Sequence, residues 1–193
     1  MRDFYFSVPI FSFDLKESKE LNKKLKKIIL NWKDKEESLQ KSNVLGWHSK
    51  IKLPEEVSFF SNIINDVQKE ICLAEELKFE LRLFDMWAMV NKKYSYNKLH
   101  THPNCHWAGV YYVQCPPKCG NIVFRFLEQG FPRPIYKKEI KDLQPHQWET
   151  VYYEPKEGRV IMFPSYLGHE VEPNLSDKDR ISISFNLIQN NVF

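Results

Sequence analysis

After Leu77 the spacing of apolar residues changes from every third or fourth position to every second, and it does not change back. Before that point Leu21, Leu25, Ile28, Ile29 and Trp32 form one face of an amphipathic helix, with Lys23, Lys24, Lys26 and Lys27 opposite. A second helix is predicted from Pro54-Glu55-Glu56, a proline in the first turn with acids at the positive end of the dipole. Phe59, Phe60, Ile63, Ile64, Val67 and Ile71 continue it at helical spacing. Beyond it come strands, predicted over 79–90, 107–114, 121–127, 159–164, 169–171 and 180–188. The last reads Ile-Ser-Ile-Ser-Phe, as a half-buried strand should. Helices first and strands afterwards exclude a βαβ wind. They predict a mainly β fold, an antiparallel barrel or sandwich of about eight strands with two helices covering one face.

The connections follow from local chemistry. Phe4 to Leu15, interrupted by Pro9, suits an edge strand, and Ser38 to Lys52 loses all periodicity and is expected to be a loop. Pro116 to Gly120 is expected to be a hairpin-type connection, and Pro173 to Asp179 a turn between the last two strands. The irregular stretch from Gly130 to Pro155 is a long excursion, expected to act as a substrate-facing lid. At 193 residues the chain suits one core. A single domain is expected, with residues 1–78 supporting a β core over 79–193.

Charge excludes some functions. The formal net charge of +3 comes from 28 basic and 25 acidic residues that are mostly interspersed, so no patch for nucleic acid or an anionic membrane is expected. No apolar run approaches the ~20 residues needed to span a bilayer. Asp3 and the short apolar stretch at the N-terminus do not make a signal peptide. With four cysteines in a chain of this size a disulfide framework is not expected, and a reducing cytoplasm fits. Cys115-x3-Cys119 has no second Cys/His pair at zinc-finger spacing, and no phosphate-cradling glycine motif occurs.

Chemistry concentrates in two places. His100 and His102, two apart, project to the same side of an extended strand, where they can share one ion. His169, after Pro164-Ser165-Tyr166-Leu167-Gly168, is a suitable third ligand. Each histidine alone is as well explained by ordinary packing. What strengthens the metal reading is Arg180 with Ser182 beside it, since an arginine fork holds the far carboxylate of a dicarboxylate bidentately. The plain alternative for Arg180 is a surface ion pair with Asp177 or Asp179. His106 is taken as a non-ligand, and Trp87, Trp107 and Tyr166 suit either the core or a substrate wall.

In order, the motifs are His100-x-His102, Gly109-Val-Tyr-Tyr-Val113, Cys119-Gly-Asn-Ile-Val-Phe124, Gly158-Arg-Val-Ile-Met-Phe-Pro164, His169-Glu-Val-x-Pro173 and Arg180-Ile-Ser-Ile-Ser-Phe-Asn186. Together they resemble the Fe(II)/2-oxoglutarate-dependent oxygenases, and more closely the small members found in bacterial and phage genomes. The likeness covers roughly residues 85 to 190. It implies a double-stranded β-helix (jelly-roll, cupin-like) core with iron at its open mouth. It further implies His100 as the first ligand of an H-x-D/E motif, His169 as the distal histidine, and Arg180 with Ser182 on the C5 carboxylate of 2-oxoglutarate. His102 departs from that pattern, which has Asp or Glu there. A three-histidine set leaves the full +2 on the ion, which the dianionic cosubstrate would neutralise, and it also suits Zn, Ni or Cu. Asn97, Tyr112 and Asn186 are expected, by motif position, to line the cosubstrate pocket.

The activity so implied is oxidation of a substrate, hydroxylation by default, with release of succinate and CO2. A small molecule, a peptide or a modified nucleobase all fit as substrate, and the sequence is silent on oligomeric state. Two rivals are a three-histidine cupin-type metalloenzyme that uses no 2-oxoglutarate and a catalytically silent jelly-roll binding module.

Overall fold

Strand β11 (Arg180–Gln189) has two faces of opposite chemistry, and the architecture is built around that division. Ile181, Ile183, Phe185 and Leu187 are fully buried in the main apolar cluster, whereas Arg180, Ser182, Ser184 and Asn186 line a cavity on the other side. In this computed structural model residues 7–52, 60–125, 144 and 147–189 are described.

Among them are β1 (Phe11–Asp14), α1 (Ser18–Lys35), β2 (Asn43–Val44), β3 (Trp47–His48), α2 (Ser61–Ala74), β4 (Leu81–Asn91), β5 (Tyr96–His100) and β6 (Trp107–Gln114). After these come β7 (Ile122–Arg125), β8 (Thr150–Tyr153), β9 (Arg159–Pro164), β10 (His169–Val171) and β11. They make two antiparallel sheets, one of order β1-β9-β6-β11-β4-β3 and one of order β2-β5-β10-β7-β8. From β4 to β7, and again from β9 to β11, successive strands alternate between the sheets. That winding is the jelly-roll expected.

The helices pack on the outer face of the six-stranded sheet. Leu25 and Ile29 from α1, and Ile63, Ile64, Val67 and Ile71 from α2, share one cluster with Tyr111, Met162 and Phe185 of the strands. Tyr111 also donates its hydroxyl to Asn22 Oδ1 at 2.6 Å, tying α1 to β6. A smaller apolar cluster holds Ala108, Val110, Ile122, Phe124, Ile161 and Phe163, of which Val110, Ile122 and Phe163 line the cavity. The burial of both faces of β6, β9 and β11 explains their near-continuous apolar runs.

Several expectations are corrected. Ser38 to Lys52 is not all loop: β2 pairs with β5 and β3 with β4, two-residue strands too short to show a period. Pro116 to Gly120 is not a hairpin, because β6 and β7 lie in different sheets and the turn carries the chain across the gap. Lys118 (φ 62°) and Gly120 (φ 84°) take left-handed backbone there. A Cβ on Gly120 would lie 2.4 Å from the Glu172 carbonyl oxygen, so only glycine fits. The predicted start of the second helix at Pro54 lies outside the described residues, and so does most of the Gly130 to Pro155 excursion, from whose end β8 emerges. Of the Phe4 to Leu15 strand, Phe11–Asp14 forms, at the edge beside β9.

Candidate metal centre

The pairing of β5 with β10 sets His100 directly opposite His169. His102 is not on the strand: β5 ends at His100, and His102 lies two residues beyond it, before the turn at Pro103 and Asn104, its backbone N–H donating to the Ser165 carbonyl at 2.9 Å. Ring centroids are 4.3 Å apart for His100 and His169, 5.2 Å for His100 and His102, and 5.0 Å for His102 and His169. One ligand nitrogen from each lies within 4.8 Å of the others.

In all three rings Nδ1 is occupied. It contacts the Lys98 carbonyl at 2.7 Å in His100, the Leu167 carbonyl at 2.9 Å in His169, and Asn186 Oδ1 at 2.7 Å in His102. Each partner oxygen can only accept, so each Nδ1 carries the proton and each Nε2 keeps its lone pair. Burial pushes all three imidazoles below their usual range, His102 to about 4, which keeps the rings neutral. Three neutral imidazoles with convergent lone pairs are a donor set for a divalent transition metal. Phe163 packs edge-on to His169 at 4.6 Å and Trp87 leans on His102 at 5.5 Å, holding the rings.

The three histidines open onto a cavity of about 570 Å³, which also receives Arg180, Ser182, Tyr112, Asn97 and Asn186. All eight residues singled out in the sequence therefore face one space. The surface ion pair offered as an alternative for Arg180 is not what forms. Arg180 is 2% exposed, and its Nη1 donates to the carbonyls of Cys119, Gly120 and, at 3.4 Å, Glu172. Asp177 pairs instead with Lys93 at 2.7 Å. Among the described residues no carboxylate forms a salt bridge with Arg180, and a buried cation held only by neutral carbonyls calls for an anion. Burial raises the Tyr112 hydroxyl well above the usual phenol range, so it is a donor at neutral pH. Asn97 donates to Ser42 Oγ at 3.1 Å, and Asn186 is committed to His102 and Asp85.

Sequence reasoning gave no place in the cavity to two residues, Asn91 and His48, and left the facing of a third, Asp85, open. Asn91 pairs with Arg180 across β4 and β11, is fully buried, and neither amide atom finds a partner among the described residues. Asp85 accepts from Asn186 Nδ2 at 2.8 Å. His48 stacks on Trp87 at 5.5 Å. The predicted strand stops at residue 90, one short of Asn91, and the alternation Asp85, Trp87, Met89, Asn91 could have shown that Asp85 and Asn91 share one face. His106, taken as a non-ligand, accepts the Gln189 N–H at 3.1 Å.

A jelly-roll that brings three histidines and a buried guanidinium, without a carboxylate partner among the described residues, to one cavity can hold a metal ion beside an anion. The family model described as "Putative 2OG-Fe(II) oxygenase" matches residues 85–186, just over half of the chain, and the protein belongs to that family. Solved structures agree on the fold. A prolyl-4-hydroxylase from Pseudomonas putida superposes with a TM-score of 0.64 at 13% identity, covering 94% of this chain and 93% of that one. HygX from Streptomyces hygroscopicus, with nickel and 2-oxoglutarate bound, gives 0.65 at 11% identity over 95% and 84%. The viral collagen prolyl hydroxylase of Paramecium bursaria chlorella virus-1, a 2-oxoglutarate complex, gives 0.61 at 13% over 92% and 94%. No curated protein matches the chain. Among the described residues no helix is long and apolar enough to cross a membrane.

Proposed function

We propose that the protein is an Fe(II)- and 2-oxoglutarate-dependent dioxygenase that hydroxylates a substrate admitted through the mouth of the cavity. His100, His102 and His169 hold the iron through Nε2, and Arg180 with Ser182 and Tyr112 receives the far carboxylate of 2-oxoglutarate. The observation that carries this reading is the buried guanidinium of Arg180, lacking a carboxylate partner among the described residues and opening on the same cavity as the histidines. The doubly unpartnered amide of Asn91, opposite it, fits a polar ligand at that end.

Iron bound with 2-oxoglutarate would supply the oxidising power, with O2 as the oxidant and the cosubstrate's C1 carboxyl group lost as CO2. The chain's part is positional. The three Nδ1 hydrogen bonds hold the imidazole lone pairs in place, and the guanidinium fork fixes the cosubstrate's direction and register. Neutral imidazoles leave the ion's charge to be offset by the cosubstrate's two carboxylates. The apolar lining of Val110, Ile122 and Phe163 keeps water from that side of the site. The substrate side is bounded by Phe84, Trp87, Ile51 and His48, mostly apolar and aromatic.

Anaerobic titration with Fe(II) and then 2-oxoglutarate, followed by measurement of substrate-free succinate formation, tests the reading. Binding of both, with succinate released on admitting O2, is the expected result. A protein that binds iron but turns over without 2-oxoglutarate would indicate the cupin-type reading. One indifferent to both would indicate a silent binding module.

A further inference from the structure

Among the described residues lining the cavity Asp85 is the sole carboxylate, and the mechanism above gives it no role. It faces Asn186 across β4 and β11, and its Oδ1 accepts the Asn186 Nδ2–H at 2.8 Å. Asn186 Oδ1 in turn accepts from His102 Nδ1 at 2.7 Å. His100 and His169 rest on backbone carbonyls, whose direction the β5 strand end and the turn before β10 fix. His102 alone rests on a side-chain amide, and an amide is ambiguous: rotated by half a turn, it presents a donor instead of an acceptor. A donor amide would force the proton of His102 onto Nε2 and remove the lone pair the metal needs.

We propose that Asp85 is a positioning residue that resolves this ambiguity, acting through Asn186 to fix the tautomer and direction of His102. An ionised carboxylate only accepts, so Nδ2 must face Asp85. Oδ1 must then face His102, Nδ1 must carry the proton, and Nε2 is left free. The acid that the H-x-D/E pattern places on the ion stands here two hydrogen bonds away, steadying the histidine that replaces it. The role in metal binding rests on the function proposed above. The tautomer does not.

The test has two arms. Long-range 1H–15N spectra of the metal-free wild type should show His102 protonated at Nδ1. In Asp85→Asn, which keeps shape but can donate, the single tautomer should be lost while the His100 and His169 signals stay. Anaerobic Co(II) titration should then show affinity falling about 10–100-fold with an altered visible spectrum. His102 protonated at Nε2 in the wild type overturns the proposal, and so does an Asp85→Asn protein that binds Co(II) as tightly as the wild type. The wild-type arm needs no variant to fold. A wild type that fails to bind Co(II) refutes the metal reading instead, leaving the tautomer result to stand by itself.

Discussion

His100 and His169 are register partners across the β5–β10 ladder, with their rings 4.3 Å apart. Residues nearly seventy positions apart in sequence are thus as close as cross-strand neighbours can be, and the ladder, not a loop, holds them. His102 is held differently, by the Ser165 carbonyl on its backbone and Asn186 on its ring.

His169→Ala removes one of two nitrogens fixed by the ladder. Metal affinity should fall by more than the ~10–100-fold that changes outside the ligand set cause. Calorimetric titration with Co(II) measures it, and far-ultraviolet circular dichroism checks that the sheets persist. Affinity within threefold of the wild type would remove His169 from the ligand set.

Arg180→Ala should leave metal binding within a few-fold of the wild type and weaken 2-oxoglutarate binding about 30-fold or more. This follows from the ~2–5 kcal/mol lost when one partner of a buried charge pair is truncated. Arg180→Lys should rescue little, because a point charge cannot reproduce the fork that now meets the Cys119 and Gly120 carbonyls. Titration of the metal-loaded protein under nitrogen separates the two affinities.

Asn91 makes no side-chain hydrogen bond among the described residues, so Asn91→Ala should destabilise the ligand-free protein less than loss of a satisfied buried amide would. If its amide meets the cosubstrate carboxylate, 2-oxoglutarate affinity should fall about tenfold or more, at the ~1.5–3 kcal/mol of a hydrogen bond to a charged group. Thermal unfolding with and without 2-oxoglutarate reads both effects in one experiment.

Gly120→Ala would place a methyl group 2.4 Å from the Glu172 oxygen at φ 84°. The turn must shift, and with it the carbonyls that hold Arg180. Stability should drop by at least about 1 kcal/mol, and 2-oxoglutarate affinity should drop while metal affinity does not. Urea unfolding and ligand titration check the two halves.

Hydrogen bonds from Arg159 and then Lys156 hold the Asp14 carboxyl well below the usual carboxylate range. A carboxyl lowered on folding adds stability that is present above its unfolded value near 3.8 and is lost as pH falls below it. The pair is partly exposed, so the contribution is small, ~1 kcal/mol or less. Asp14→Asn should therefore cost a measurable fraction of that at pH 7 in urea unfolding and clearly less near pH 2, where the unfolded carboxyl is already protonated. An equal cost at both would assign the effect to packing of β1.

The strands with one polar face were readable from the chain because alternation leaves a trace, as Arg180, Ser182, Ser184 and Asn186 show. The two-residue strands β2 and β3 leave none, so Ser38 to Lys52 read as loop, and His48 was lost with it. Which strands pair is set by long-range packing, and the residues of the Cys115 to Gly120 turn look alike whether they close a hairpin or cross between sheets. His100, His102, His169 and Arg180 were legible as chemistry. Their cavity neighbours Asp85 and Asn91 were not, because the direction a polar strand residue faces is settled only once its partner across the ladder is known.

Strand β11 carries Arg180 near one end and, six residues along, Asn186 under His102. A strand rises ~3.4 Å per residue, so these posts stand roughly 20 Å apart at the backbone, on a strand held along its length by β4 on one side and β6 on the other. Under the proposed function the strand is a ruler. It would set how far the guanidinium stands from the metal, and with that which keto acids can reach both.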